Sequence, residues 1–143
     1  MPYTSALTEG LAQLLAAGGL AVYRPSGIYE PGEHGLVVGV MPDNPDRCTV
    51  LLPYPVEDTD MTDAITAVQV RMRAGRDPRP LLDFSDDLFA LLHQRRHYEL
   101  GGVHVALSWR QSEAWIGQDT HGRLERTANY YLRTTRSAPH LYE

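Results

Sequence analysis

Two stretches of the chain alternate strictly between apolar and polar residues, and this pattern restricts the fold more than any other. In residues 67–73, Val68, Val70 and Met72 lie on one side, and the same alternation runs through residues 103–110. A period of two residues is that of a β-strand with one apolar face. Because an apolar sheet face has to be covered by another layer, the chain must also supply helices or a second sheet.

Two segments with helical periodicity can supply that layer. Residues 5–17 carry leucines at spacings of three and four and are followed by a pair of glycines, which stop helices. Residues 81–96 are predicted as a second helix, with aspartates near its start and arginines at its end, as the helix dipole favours. Each helix has one apolar stripe that can lie on the sheet.

Shorter apolar runs predict four further strands, at residues 20–23, 36–40, 47–52 and 123–134. Residues 111–122 are predicted to be a long connection. The order of helices and strands predicts an α+β fold, with a mixed sheet of about five to six strands and both helices packed on one face. We expect a single domain over residues 1–136 and a short C-terminal tail at residues 137–143.

The charge of the chain argues against broad nucleic-acid binding. The formal net charge is −5, the pI is about 5.6, and all 13 basic residues are arginine. Binding along a phosphate backbone needs a concentrated excess of positive charge. Arginine without lysine favours planar, forked contacts with carboxylates, although a GC-rich genome gives the same composition.

Cys48 is the only cysteine, so neither an internal disulfide nor a cysteine-based metal site is expected. It lies in an apolar strand segment and is predicted to be a small core residue. The first residues lack the basic and apolar regions of a signal peptide, and no apolar run approaches the roughly 20 residues of a membrane span. We therefore expect a protein that folds in a cytoplasm, away from membranes.

The strongest candidate for chemistry is a pair of histidines. His93 and His97 are four residues apart on the predicted second helix, as in a metalloprotease pair, but Gln94 stands where that motif requires glutamate. Two ligands alone do not make a zinc site. The acidic residues 57–63 lack the glycine and the closing glutamate of an EF-hand, and are expected to form a solvated loop. The prediction is a protein that is not an enzyme and has no cofactor or metal; the alternative is a small metal-dependent enzyme built on the two histidines.

Long charged side chains on the predicted strand faces are candidates for contacts between subunits. They are Arg71, Arg73, Glu125 and Arg126, with Tyr130 as an aromatic anchor. Arginine and tyrosine are enriched at protein interfaces. An ordinary solvated sheet face explains each charged residue as well, and core packing explains the tyrosine.

The closing segment, residues 117–131, resembles the end of the minor capsid or tail terminator proteins, a family of long-tailed phages of actinobacteria. The residues that follow the family's order are Gly117, Asp119, Gly122-Arg123, Glu125-Arg126 and Asn129-Tyr130. Three further stretches agree with this family, at residues 21–25, 41–46 and 68–73.

The resemblance implies an α+β domain whose copies assemble as a hexameric ring at the head-proximal end of the tail tube. Such a ring ends tube polymerisation, contacts the tail tube protein and the head-completion or connector protein, and lets DNA pass through its lumen without specific binding. An acidic net charge suits a passage for DNA. The resemblance places the protein at the head–tail junction of the virion, which is assembled in the cytoplasm of the bacterial host. A head-completion or stopper protein is the alternative within the same machine, and the family motif carries no catalytic residues.

Overall fold

The computed structural model describes residues 1–142 and contains two helices and seven strands. The elements are α1 (Tyr3–Ala17), β1 (Val22–Tyr23), β2 (Gly35–Val38), β3 (Cys48–Asp58), β4 (Asp63–Arg73), α2 (Pro78–Leu92), β5 (Arg95–Leu100), β6 (Val103–Gln118) and β7 (Leu124–Thr135). Neither helix has the length and apolar character needed to cross a bilayer, within these described residues.

All seven strands form one sheet in the order β1-β2-β3-β4-β7-β6-β5. β1, β2 and β3 pair in parallel, and every other pair of neighbours is antiparallel, so the sheet is mixed. The predicted α+β class with a mixed sheet is confirmed. The predicted count of five to six strands was wrong, because the sequence pattern did not reveal β5.

β5 was missed because its first residues continue the polar pattern of a helix end. α2 ends at Leu92 rather than at Arg96, since His93 is extended with ψ 124° and Gln94 has φ +61°. The Gln94 N–H then donates to the Ser108 carbonyl at 2.7 Å, which begins the approach to β6. Arginine is a good helix former, and this turn contains neither glycine nor proline, so composition did not mark the break.

β6 continues through most of the segment predicted as a connection. It pairs with β7 from Val105 to Gln118, with register shifts at three places. Such irregularities insert an unpaired residue and bend the strand. The two-residue period was therefore lost from the sequence pattern although the strand continued.

β3 also extends beyond its predicted end. It passes through Pro53 and Pro55 to Asp58, and this second half pairs only with β4. Proline is tolerated on an edge strand because its missing N–H can face away from the ladder. The acidic residues 57–63 are therefore two strand ends joined by a short turn, and the predicted loop over the whole segment was wrong.

One hydrophobic core fills the space between the two helices and one face of the sheet. Its largest fully buried side chains are Leu7, Leu11, Leu15, Leu36, Leu51, Met72, Leu81, Leu88, Leu92, Leu100, Tyr130 and Leu132. Cys48 is also fully buried, and this burial raises the pKa of its thiol to about 11. The thiol is therefore a packing group rather than a reactive one, as predicted.

α1 approaches the turn between β5 and β6 so closely that both sides of the contact need glycine. A Cβ added at Gly10 would lie 2.3 Å from the backbone nitrogen of Gly101, and one added at Gly101 would lie 2.0 Å from the Ala6 carbonyl oxygen. Gly101 also has φ +57°, a conformation that favours glycine. This contact fixes α1 against the edge of the sheet.

Gly10→Ala should destabilise the protein by about 2 kcal/mol, because the added Cβ would meet backbone atoms that cannot easily shift, which places the cost at the upper end of the usual range. Forcing a methyl group into a filled contact typically costs ~1–3 kcal/mol, and here it outweighs the gain of ~1 kcal/mol in helix propensity. Urea unfolding followed by circular dichroism measures the difference. The matched control is Gly75→Ala, because a Cβ there meets no atom within 4 Å and φ is not positive; it should stay within ~0.5 kcal/mol of wild type. Equal stability of the two variants would contradict the close contact.

Candidate functional site

The two histidines of the candidate metal site do not lie on one helix. His93 caps the C-terminus of α2, and its Nδ1 accepts a hydrogen bond from the Arg110 backbone N–H at 3.1 Å. His97 lies in β5, where its ring stacks against His104 with 5.7 Å between centroids. The predicted helical pair was wrong because α2 ends at Leu92. In the described part of the chain, no three His, Cys, Asp or Glu side chains are grouped to hold a metal ion.

Arg123 joins loops at the end of the sheet where β7 begins. Only 8% of its side chain is exposed. Its Nε donates to Asp119 Oδ2 at 2.7 Å, Nη1 to Asp46 Oδ1 at 3.1 Å and Nη2 to Asp43 Oδ1 at 3.1 Å. The planar fork of a guanidinium suits several carboxylates at once. One side chain thus ties the β6–β7 turn to the segment that precedes β3.

Arg73 holds the same segment through its backbone. The residue is 3% exposed, and its guanidinium donates to the carbonyl oxygens of Pro45 at 2.6 Å, Asp46 at 2.9 Å and Asp43 at 3.3 Å. These three hydrogen bonds replace the hydrogen bonds to water that the guanidinium loses on burial. Arg73 is therefore an internal brace of this loop.

Asp119 closes the β6–β7 turn from the other side. Its Oδ1 accepts the backbone N–H groups of His121 and Arg123, each at 2.9 Å. Burial alone would raise the pKa of this carboxyl, but the hydrogen bonds from Arg123 and His121 and the charge of Arg123 hold it at about 2. The carboxylate therefore stays ionised, and the turn stays closed, well into the acid range.

A second charged cluster lies beneath α2, on the helix side of the sheet. Glu113 accepts hydrogen bonds from Arg126 at 2.8 Å, from Arg110 at 3.2 Å and from the Ser85 hydroxyl of α2. Two arginines thus share one carboxylate, and the Arg126 guanidinium lies 4.3 Å from the centre of the exposed Trp115 ring. The sequence did not indicate this cluster, because Glu113 falls in the segment predicted as a connection.

The five residues predicted for a subunit interface do not share one surface. Arg71 and Glu125 form an ion pair with 2.9 Å between Nε and Oε1 on the sheet face opposite the helices. Arg126 and Tyr130 lie on the helix side, since they alternate with Glu125 along β7.

The five residues also differ in how much of their surface is exposed to solvent. Tyr130 is 1% exposed, Arg73 3% and Glu125 4%. Their side chains therefore pack inside the chain itself, and their place in a subunit interface stays a prediction. Arg71 has 40% of its side chain exposed, and Arg126, beneath Trp115, has 13%. Arg71 is therefore the most accessible of the five.

Besides the terminal strands β1 and β5, two inner strands, β3 and β6, are left open along part of one side within the described residues. β2 covers β3 only over residues 48–51, and β5 covers β6 only over residues 103–108. The β3 edge is defined as residues 52–58, and the β6 edge as residues 111–118. An open strand edge presents unpaired backbone groups and is a site where another strand can add.

Large apolar side chains are exposed along both edges. Tyr54 and Val56 of the β3 edge are 36% and 40% exposed, and Trp115 and Ile116 of the β6 edge are 49% and 48% exposed. Apolar groups that stand together at a surface mark sites of protein association. The two edges can therefore bind a strand or an apolar surface of a partner.

The comparison with known proteins shows which family the chain belongs to. Residues 14–136 match the family described as bacteriophage tail terminator protein. No curated protein matches the chain significantly. One solved structure shares 18% identity over 95% of this chain and 94% of the other, with a TM-score of 0.48, a similarity too low to support a functional statement. The chain belongs to the bacteriophage tail terminator family, as its sequence predicted, and is thus a structural tail protein of the virion that assembles with other tail components.

Asp119→Asn should remove part of the acid sensitivity of the fold. In the wild type, the depressed pKa contributes stability that is complete above the ordinary value of 3.8 and is lost as the pH falls towards about 2. At neutral pH the variant should lose ~1–3 kcal/mol, since charge-assisted hydrogen bonds are replaced by weaker ones. Urea unfolding from pH 7 down to pH 2 measures both effects.

The control for this prediction is Asp86→Asn, on the exposed side of α2. It should keep the wild-type dependence on pH. If Asp119→Asn lost stability in acid as steeply as the wild type, the hydrogen bonds to Asp119 would not be the source of that dependence.

Proposed function

We propose that copies of this chain form a closed ring, a hexamer, at the head-proximal end of the phage tail tube. The ring stops polymerisation of the tube and offers a surface to the head connector. The observation that carries this proposal is the family match over residues 14–136. The function consists of complementary surfaces, with no bond made or broken.

The geometry of the chain suits repeated contacts between identical subunits. Its two open edges lie on different strands, β3 and β6, and carry different side chains. A contact between two different patches is heterologous, and it generates a ring when the rotation returns to its start. Arg71 and Arg126 are the charged residues that we propose for such contacts.

Charge suits the passage of DNA through the ring. The net charge is −5, and α2 carries three exposed aspartates, Asp83, Asp86 and Asp87. Carboxylates repel phosphates and release no counterions on meeting DNA, so the lumen would not hold the genome back. The proposed partners are therefore other copies of the chain, the tail tube protein and the connector protein, while DNA passes without specific binding.

A head-completion or stopper protein is the second candidate, because it would use the same kind of ring. The geometry disfavours a metal-dependent enzyme, since His93 is engaged by the Arg110 backbone and His97 lies on another element. Zinc content of the purified protein is the direct check. Stoichiometric zinc that is lost on His93→Ala would contradict the structural proposal.

Cryo-electron microscopy of virions that contain this chain should show six copies in one ring between the last tube layer and the head connector. Particles made without the chain should carry tubes of irregular length, because nothing ends their growth. Tube length in such preparations, compared with a preparation to which the purified chain is returned, gives an independent measurement.

Two outcomes would contradict the terminator proposal. Density for the chain on the capsid side of the connector would favour the head-completion protein. Absence of the chain from the virion would contradict both candidates.

A further inference from the structure

The β3 edge can accept hydrogen bonds but is short of donors. The Arg47 and Leu51 carbonyls point towards β2, where they accept from Gly35 N–H at 3.0 Å and Gly39 N–H at 3.3 Å. The side to which the backbone N–H and C=O groups of a residue point alternates with a period of two along a strand. As far as the irregularity between Pro55 and Glu57, the odd-numbered residues that follow therefore face the same way into open space. These are Pro53 and Pro55, and both lack an N–H.

This shortage decides which strand can pair with the β3 edge. Two β3 edges placed side by side would each offer carbonyls and lack the matching N–H groups at Pro53 and Pro55, so a symmetric contact of this edge with itself is poorly bonded. A partner must bring a strand edge that still has its N–H groups.

The β6 edge has those groups. Residues 111–118 contain no proline, and just before them the Arg110 N–H points to the same side, where His93 accepts it. β3 and β6 run in opposite directions within the sheet, because each step from β3 through β4 and β7 to β6 is antiparallel. A second copy whose strands run in nearly the same direction as those of the first, rotated slightly and shifted along the strands, thus brings its β3 edge antiparallel to the β6 edge of the first.

The shift also keeps β2 of one copy from clashing with β5 of the other. β2 covers the first half of β3, and β5 covers the first half of β6. Since the two strands are antiparallel, the open half of β3 lies towards one end of the sheet and the open half of β6 towards the other. A stagger of about half a strand brings the open halves together and leaves β2 and β5 outside the contact.

The side chains at the two edges complement one another. Exposed Trp115 at the β6 edge lies over the guanidinium of Arg126, the positive charge nearest to this edge. At the β3 edge, Glu57 and Asp58 are exposed and form no ion pair within the described residues. Apolar Val56 beside them matches the indole. Opposite charge around an apolar centre is the usual composition of a specific contact.

We propose that the β6 edge of one copy binds the β3 edge of the next copy, as an antiparallel strand pair bordered by Trp115 and Val56. This inference rests on the proposed self-assembly and identifies its interface. The partner is a second copy of this chain. The contact is directional, since each copy contributes one edge of each kind and the β3 edge pairs poorly with itself.

Single-cysteine variants test this interface directly. In a Cys48→Ala background, Val56→Cys and Ala114→Cys each place one accessible thiol on one edge. The two purified variants are treated with a short bis-maleimide linker, separately and as an equal mixture, and the products are resolved on a denaturing gel and identified by mass spectrometry. Leu82→Cys on the exposed side of α2 serves as the control for random collision.

The mixture should give several-fold more cross-linked dimer than either variant alone or than any mixture with Leu82→Cys. The reason is that only the mixture places one thiol on each side of the contact. Adding Glu57→Arg to the Val56→Cys chain should lower this yield several-fold, because the arginine then faces the Arg126 cluster.

Three results would overturn the interface. They are a mixture that cross-links no better than the Leu82→Cys control at the highest soluble concentration, a Val56→Cys sample that cross-links to itself as strongly as the mixture does, and an increase on Glu57→Arg. Imaging the uncross-linked protein by electron microscopy keeps the two proposals apart. Rings without the mixed cross-link would leave the proposed function and refute this interface, whereas the mixed cross-link in open filaments would support the interface and refute the closed ring.

Discussion

The antiparallel ladder between β4 and β7 is the interaction on which the other elements depend. It pairs eleven residues of each strand, from Asp63 with Thr135 to Arg73 with Glu125. One of its faces carries the buried side chains that both helices cover, and each fully buried large apolar side chain contributes roughly 1.5–3 kcal/mol. β3 and β6 are attached directly to its two sides. The open edges of those strands are therefore held at a fixed distance and orientation by the most regular part of the sheet.

The sequence predicted those parts of the fold in which apolar residues recur at the regular spacing of a strand or a helix. Val68, Val70 and Met72 marked β4, leucines at spacings of three and four marked α1, and an apolar stripe with charged ends marked α2. The prediction failed where a regular element changed without a glycine or proline, as at Gln94, and where register shifts interrupted the alternation of β6. At those points tertiary pairing decided the conformation, and local propensity could not reveal it.

The candidate site was harder to predict than the fold, because its contacts join residues that are distant in sequence. Arg123 belongs to the motif that identified the family, yet its partner Asp43 is 80 residues away. The sequence left Tyr130 open between the core and an interface and placed Glu125 on a sheet surface, whereas neighbouring strands and loops bury both. The absence of lysine did carry information. Arg73 and Arg123 each use several donors of the guanidinium fork inside the chain, the use for which arginine is better suited than lysine.

The bonds of Arg123 have a consequence for recognition at that end of the sheet. In the isolated chain, one buried guanidinium already holds the β6–β7 turn and the segment before β3 in a single arrangement. Ordering a mobile loop on binding costs conformational entropy, and that cost is subtracted from the affinity. A partner that meets this end encounters loops that have lost their freedom during folding. Association there can thus be strong over a small area, and its rate is not limited by a search among loop conformations.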